Sequence, residues 1–153
     1  MPVVSRMLAG IAFAVMAAMP WGGASAQSVA DVMQQWGILG VWASDGGAPP
    51  SRRNYHLGYR AVGGGRVMHE RYFGAGTDGQ AVISAAIVGG TLELVVDFGP
   101  PGGTRRWTMF KGPDGRMRAW RNSRVDGSSL TVQDGRFTSD GRDTPWQTMC
   151  TRW

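Results

Sequence analysis

His56, His69 and Glu70 are the side chains best suited to hold a metal or move a proton, and His56 and His69 are the only two histidines of the chain. Gly63-Gly64-Gly65 reads as a hairpin loop. It sets His69 opposite Tyr59 and His56 opposite Tyr72, so the two imidazoles fall on opposite faces of the ribbon. A zinc-like site needs three or four convergent ligands, so no metal is expected, and the histidines read as surface or barrel-mouth residues. Cys150 is the only cysteine; a catalytic thiol needs a base beside it, and both histidines are far away in sequence. Asp114, Asp126, Asp134, Asp140 and Asp143 stand in turn contexts. Ser84, Ser123 and Ser139 show no nucleophile elbow. Gly74-Ala75-Gly76 follows a strand without opening a helix, so it is no phosphate loop. The expectation is no catalytic residue, no cofactor and no enzyme; an Arg, His and Glu set at a barrel mouth is the remaining catalytic reading.

Binding chemistry is better represented. Tyr55, Tyr59, Trp107, Met109 and Trp120 recur at spacing that points inward from separate strands. They either fill a solid interior or line a cavity for a small apolar or flat ligand. In the second case Arg118, with Arg60, is placed to orient an acidic head group.

The elements that position these residues follow from punctuation. Ser28 caps a short helix over Gln27–Trp36, Asp31 suits its third position, and Val29, Val32, Met33 and Trp36 share one stripe. Gly37 and Gly40 end it. Of the 24 glycines, 21 lie beyond residue 26; many, in Asp-Gly or Gly-Gly pairs, separate short strand-like runs. The runs are Gly40–Ser44, Tyr55–Val62, Arg66–Phe73, Ala81–Val88, Thr91–Phe98, Thr104–Lys111, Arg116–Arg124 and Ser129–Gln133, with Met149–Trp153 closing the set. Leu92, Leu94, Val96 and Phe98 alternate with Thr91, Glu93 and Asp97; Tyr55, Leu57, Tyr59 and Ala61 alternate with His56, Gly58 and Arg60. Ala81–Val88 is apolar on both faces, as for a strand covered by the helix or a loop. Short turns without a crossover helix predict an antiparallel meander. Closing it into an up-and-down β-barrel of about eight strands removes its edges; an open sandwich is the fallback.

Residues 1–26 read as a signal peptide: Arg6, an apolar run from Leu8 to Pro20, and Ala24-Ser25-Ala26 before a cut at Gln27. The run is too short to span a bilayer, which takes about 20 residues. Residues 27–153 then form one domain, periplasmic or secreted, with no membrane span expected. Of sixteen basic residues only Lys111 is lysine, and the formal net charge is +5. The arginines are scattered from Arg52 to Arg152, which is not the pattern of a nucleic-acid groove. An unpaired cysteine in an exported chain reads as a free, partly buried thiol or an intermolecular pair.

Leu39-Gly40-Val41-Trp42, at the head of the first strand after a short helix, resembles the Gly-x-Trp start of lipocalin-like barrels. The resemblance implies that Trp42 plugs the closed end of the barrel and that an arginine, Arg152 or Arg121, packs over its ring. Gly40-Val41-Trp42-Ala43-Ser44-Asp45, Pro49-Pro50, Asn54, Thr144-Pro145-Trp146 and Cys150 together also resemble a group of small exported bacterial proteins with paired terminal cysteines. That group has a cysteine where this chain has Gly46, which implies that Cys150 has lost its partner. A bridge across a loop of that length is worth about 4 kcal/mol in the chain-entropy model. These likenesses imply a lipocalin-like binding or structural module, with a small hydrophobic ligand or a protein partner. The alternative is an inhibitor or accessory protein that inserts Gln27–Gln35 into a partner's cleft, so that a chain starting at Gly37 keeps its fold and loses inhibition.

Overall fold

The computed structural model describes residues 26–153; the proposed leader falls outside them, apart from Ala26. The helix expected near the start is α1 (Val29–Trp36). Ser28 Oγ accepts from the Asp31 amide at 3.2 Å while the Asp31 carboxylate accepts from the Ser28 amide at 3.1 Å. This reciprocal pairing satisfies two amides that have no helical partner; the Ser28 hydroxyl, donating to the Asp31 carboxylate at 2.7 Å, and then the Ser28 amide hold that carboxyl below the usual range. Gly37 ends the helix at φ +80°. One face of α1, carrying Val32, Met33 and Trp36, is buried against the inner side of the sheet.

Ten strands follow: β1 (Gly40–Ala43), β2 (His56–Ala61), β3 (Val67–Tyr72), β4 (Thr77–Val88), β5 (Thr91–Asp97), β6 (Thr104–Lys111), β7 (Met117–Arg124), β8 (Leu130–Gln133), β9 (Arg136–Phe137) and β10 (Thr148–Arg152). All neighbours are antiparallel, in the order β10-β1-β2-β3-β4-β5-β6-β7-β8-β9. The all-β antiparallel class is as expected. The strand number and the closure are not: this is an open, curled half-barrel of ten strands rather than a closed barrel of about eight. Two physical details account for the difference. Asp134 and Gly135, at φ 51° and 73°, make a tight turn that adds the two-residue β9 beyond β8. The chain then leaves the β9 edge and returns past β7, where Met117 and Gln147 form an isolated pair at 3.0 and 2.8 Å, before running into β10 beside β1. No ladder joins β9 to β10.

The core comprises Met33, Ile38, Trp42, Tyr59, Val67, Leu92, Leu94, Val96, Met109 and Met117, with their neighbours. Trp42 is 2% exposed and its indole donates to the Ile38 carbonyl at 2.7 Å. Gly40 is required where it stands: a Cβ there would lie 2.3 Å from the Thr151 carbonyl of β10. The inner side of β4 is covered by α1, while Ile83, Ile87 and Val88 stay exposed. Lys111, at the end of β6, lies 4.1 Å from the centre of the Trp36 ring and donates to the Trp36 carbonyl, tying α1 to the sheet.

Candidate functional site: an aromatic-walled cavity

The alternation of β2 and β5 puts Leu57, Tyr59, Leu94 and Val96 on the concave side, and β6 adds Trp107 and Met109. Together with Phe98, Ala119, Val132 and Phe137 of the β8–β9 hairpin, and Thr144, Pro145 and Gln147, they surround a cavity of about 310 Å³. That volume is at the small end for ligand pockets. Tyr55 is 46% exposed and sits on the rim, edge-on to Phe73.

His69 lies within this wall. It pairs with Tyr59, as the hairpin reading predicts, but it is 5% exposed and lines the cavity, which corrects the surface or mouth placement. Its ring packs on Tyr59 at 4.9 Å and edge-on to Phe98 at 6.0 Å. Burial, with a smaller contribution from the Arg71 charge, drops its pKa to about 4, so the imidazole is neutral at pH 7. Burial also holds the Tyr59 hydroxyl protonated, well above the usual phenol range. Arg71, the one charged residue of the lining, is paired with Asp78 and stacked over Phe98 at 5.0 Å. His56 turns away and contacts the Ala48 carbonyl at 3.0 Å.

Buried polar atoms without partners mark the same wall. His69 Nδ1, Trp107 Nε1 and Gln147 Oε1 have none. Asn122 Nδ2 has none either, but Asn122 has no exposed surface and is not part of the lining. An orphaned buried polar group costs about 1–3 kcal/mol, so such a cluster in one lining is unusual.

Of the five ligand-facing residues expected from the sequence, Tyr55, Tyr59 and Trp107 line the cavity; Trp120 and Arg118 do not. Met109 pairs with Ala119 and Trp107 with Asn122, so β7 turns Met117, Ala119 and Asn122 inward, with a bulge that adds one residue near Trp120. Trp120 and Arg118 therefore lie on the outer side. There Trp120 meets Phe110 at 5.5 Å, and Arg118 lies 5.7 Å from the Trp120 ring and 5.1 Å from Trp146. Arg118 donates to the Gly135 carbonyl at 2.6 Å, pinning the β8–β9 hairpin and the returning chain to β7.

The structural expectations also need correction. The cation–π contacts among the described residues involve Trp36, Phe98, Trp120 and Trp146, and none involves Trp42. Arg152 and Arg121 are exposed. Cys150 is exposed rather than partly buried, and its thiol pKa is raised, chiefly by desolvation. The segment expected to insert into a partner is the well-packed α1, with Met33 wholly buried, so a chain starting at Gly37 would lose part of its core. Sequence reasoning missed His69 and Gln147 as lining residues. The signal for His69 was present in its pairing with inward Tyr59.

Among the described residues no group of three or more His, Cys, Asp or Glu converges to hold a metal ion, and no helix is long and apolar enough to cross a membrane. Comparison with protein-family models, curated proteins and solved structures returned no match.

Proposed function

We propose that this protein is an exported, lipocalin-like binding module that holds a small hydrophobic ligand between the aromatic walls of the half-barrel. The observation that carries this reading is the cavity of about 310 Å³, walled by Tyr55, Tyr59, Phe98, Trp107 and Phe137, with His69, Arg71, Thr144 and Gln147 as its polar residues. A mostly apolar concavity with a few convergent polar groups is the usual form of a small-molecule site. Export to the periplasm or outside the cell rests on residues 1–26.

The test is native mass spectrometry of protein purified from an exporting host, followed by organic extraction. A stoichiometric mass increment that is lost on extraction is the expected result. Bare protein that also takes up no added aromatic probe rules the reading out.

A further inference from the structure

Arg105 of β6 and Arg124 of β7 stand directly opposite each other in the ladder, on the same face of the sheet as the Trp107–Asn122 pair. Side chains paired in this way have Cβ atoms roughly 5 Å apart, and like charges placed there repel. Little on the protein relieves the repulsion. Among the described residues no carboxylate lies within 4.0 Å of Arg105. Arg124 has only Asp126, at 4.0 Å and with a side chain 63% exposed, and a solvated pair of that length contributes little.

Both guanidiniums are nevertheless held in place by uncharged groups. Arg105 Nε donates to Asn122 Oδ1 at 2.6 Å, and its Nη2 donates to the Thr131 hydroxyl at 2.8 Å. Asn122 is wholly buried, so this anchor is fixed. Arg105 Nη1 has no partner among the described residues. Arg124 lies across Gly103 of the β5–β6 turn, where a Cβ would overlap its guanidinium, and its Nη2 reaches the Pro101 carbonyl at 3.4 Å. Both side chains stay partly exposed. Burial first, and the Arg124 charge second, work against the ionised form of Arg105; an anion set between the two would offset both effects.

We infer that Arg105 and Arg124 form an oxyanion site for a phosphate or sulfate group, at the end of the half-barrel where β6 begins and β7 ends. A tetrahedral dianion offers separate oxygen pairs to two planar forks. A lone carboxylate offers a single pair and less charge. The site is distinct from the cavity and does not rest on the binding reading. Two sources would supply the group: a free anion, or the head of an amphipathic molecule whose tail enters the cavity. The second follows from Val96, the β5 partner of Arg105, which lines the cavity.

Isothermal titration calorimetry of the purified exported protein, at pH 7.5 and fixed ionic strength, tests the site with inorganic phosphate, acetate and octyl phosphate. Saturable one-to-one uptake of phosphate is expected, with acetate at least about tenfold weaker. Arg124→Gln should weaken phosphate at least about tenfold, the effect of lost hydrogen bonds to a charged group. Arg121→Gln, exposed on the opposite face of β7, should leave it within about twofold because its charge is screened. Octyl phosphate that binds tighter than phosphate, and is weakened by Arg124→Gln as phosphate is, assigns the group to a cavity ligand; no gain from the chain assigns it to a free anion. Absence of saturable phosphate uptake by the wild type overturns the site, as does uptake that Arg124→Gln leaves unchanged. Acetate binding as tightly as phosphate overturns the tetrahedral dianion. None of these results touches the cavity reading, which the extraction and aromatic probe decide, and the wild-type ranking stands even if Arg124→Gln fails to fold.

Discussion

His69 is the residue whose environment departs furthest from what its type suggests. An unfolded imidazole takes up a proton near pH 6.5, whereas the buried one resists until about pH 4. The unfolded chain therefore binds the extra proton, and the stability due to neutral His69 is complete above pH 6.5 and lost as the pH falls toward 4. The carboxyls of Glu70 and Asp78, held low by hydrogen bonds from Arg60 and Arg71, lose their contributions only at lower pH. Urea unfolding at pH 7 and pH 5 should show the wild type losing about 2 kcal/mol more than His69→Gln; equal losses would place the imidazole in water. The same scale shows how position was obscured in the sequence. Alternation along β2 revealed Tyr59, and the hairpin register then dictated that His69 faces the same way, but a histidine weighed only as a metal ligand hides that consequence. On β7 the bulk of Trp120 suggested an interior residue. Met117 and Ala119, small or pliant, occupy the inner positions instead, and the bulge carries Trp120 outside.

Among the elements, the helix and most strands were legible because each carries its own punctuation. Ser28, Asp31 and Gly37 delimit α1, and the alternation of Leu92, Leu94 and Val96 delimits β5. The cap and the buried face contribute unequally. Met33→Ala should lower unfolding free energy by about 3 kcal/mol, because a fully buried side chain leaves a cavity. Ser28→Ala should cost about 1 kcal/mol. Urea titration of both variants checks the order, and equal effects would mean that α1 is not docked as described. Two strand boundaries were not legible. β4 begins at Thr77 and runs through Gly79, inside a glycine-rich stretch that reads as a turn, because pairing with β3 overrides local propensity. β9 has only two residues, too few for any period to register.

At the scale of the whole molecule, the sheet is fastened at its ends by the Met117–Gln147 and Arg136–Asp143 pairs, the Thr144 hydroxyl on the Ala119 carbonyl, the Arg118 clamp and the β1–β10 ladder. A covalent tie across β1 and β10 has a site ready for it. A Cβ built on Gly46 would lie 3.1 Å from Cys150 Cβ and 2.4 Å from its sulfur, a few tenths of an ångström tighter than ordinary bridge geometry. Gly46→Cys should therefore close a bridge under oxidising conditions, abolish the free thiol, and raise the melting temperature by about 10 °C. Gly46→Ala serves as the control and should give no gain. A variant that stays reduced shows that the two ends do not meet. The curl and its open seam were beyond sequence reading, since both depend on where residues 144–147 return, and nothing local in that segment records it.

Lys111 carries the only side-chain amine in the chain, and that amine is occupied by the indole and the last carbonyl of the helix beneath it. An amine-selective acylating reagent thus has a single side-chain amine to find, shielded for as long as α1 stays seated. Its rate of modification becomes a clock for how often that helix lifts away, readable by mass without any engineered label.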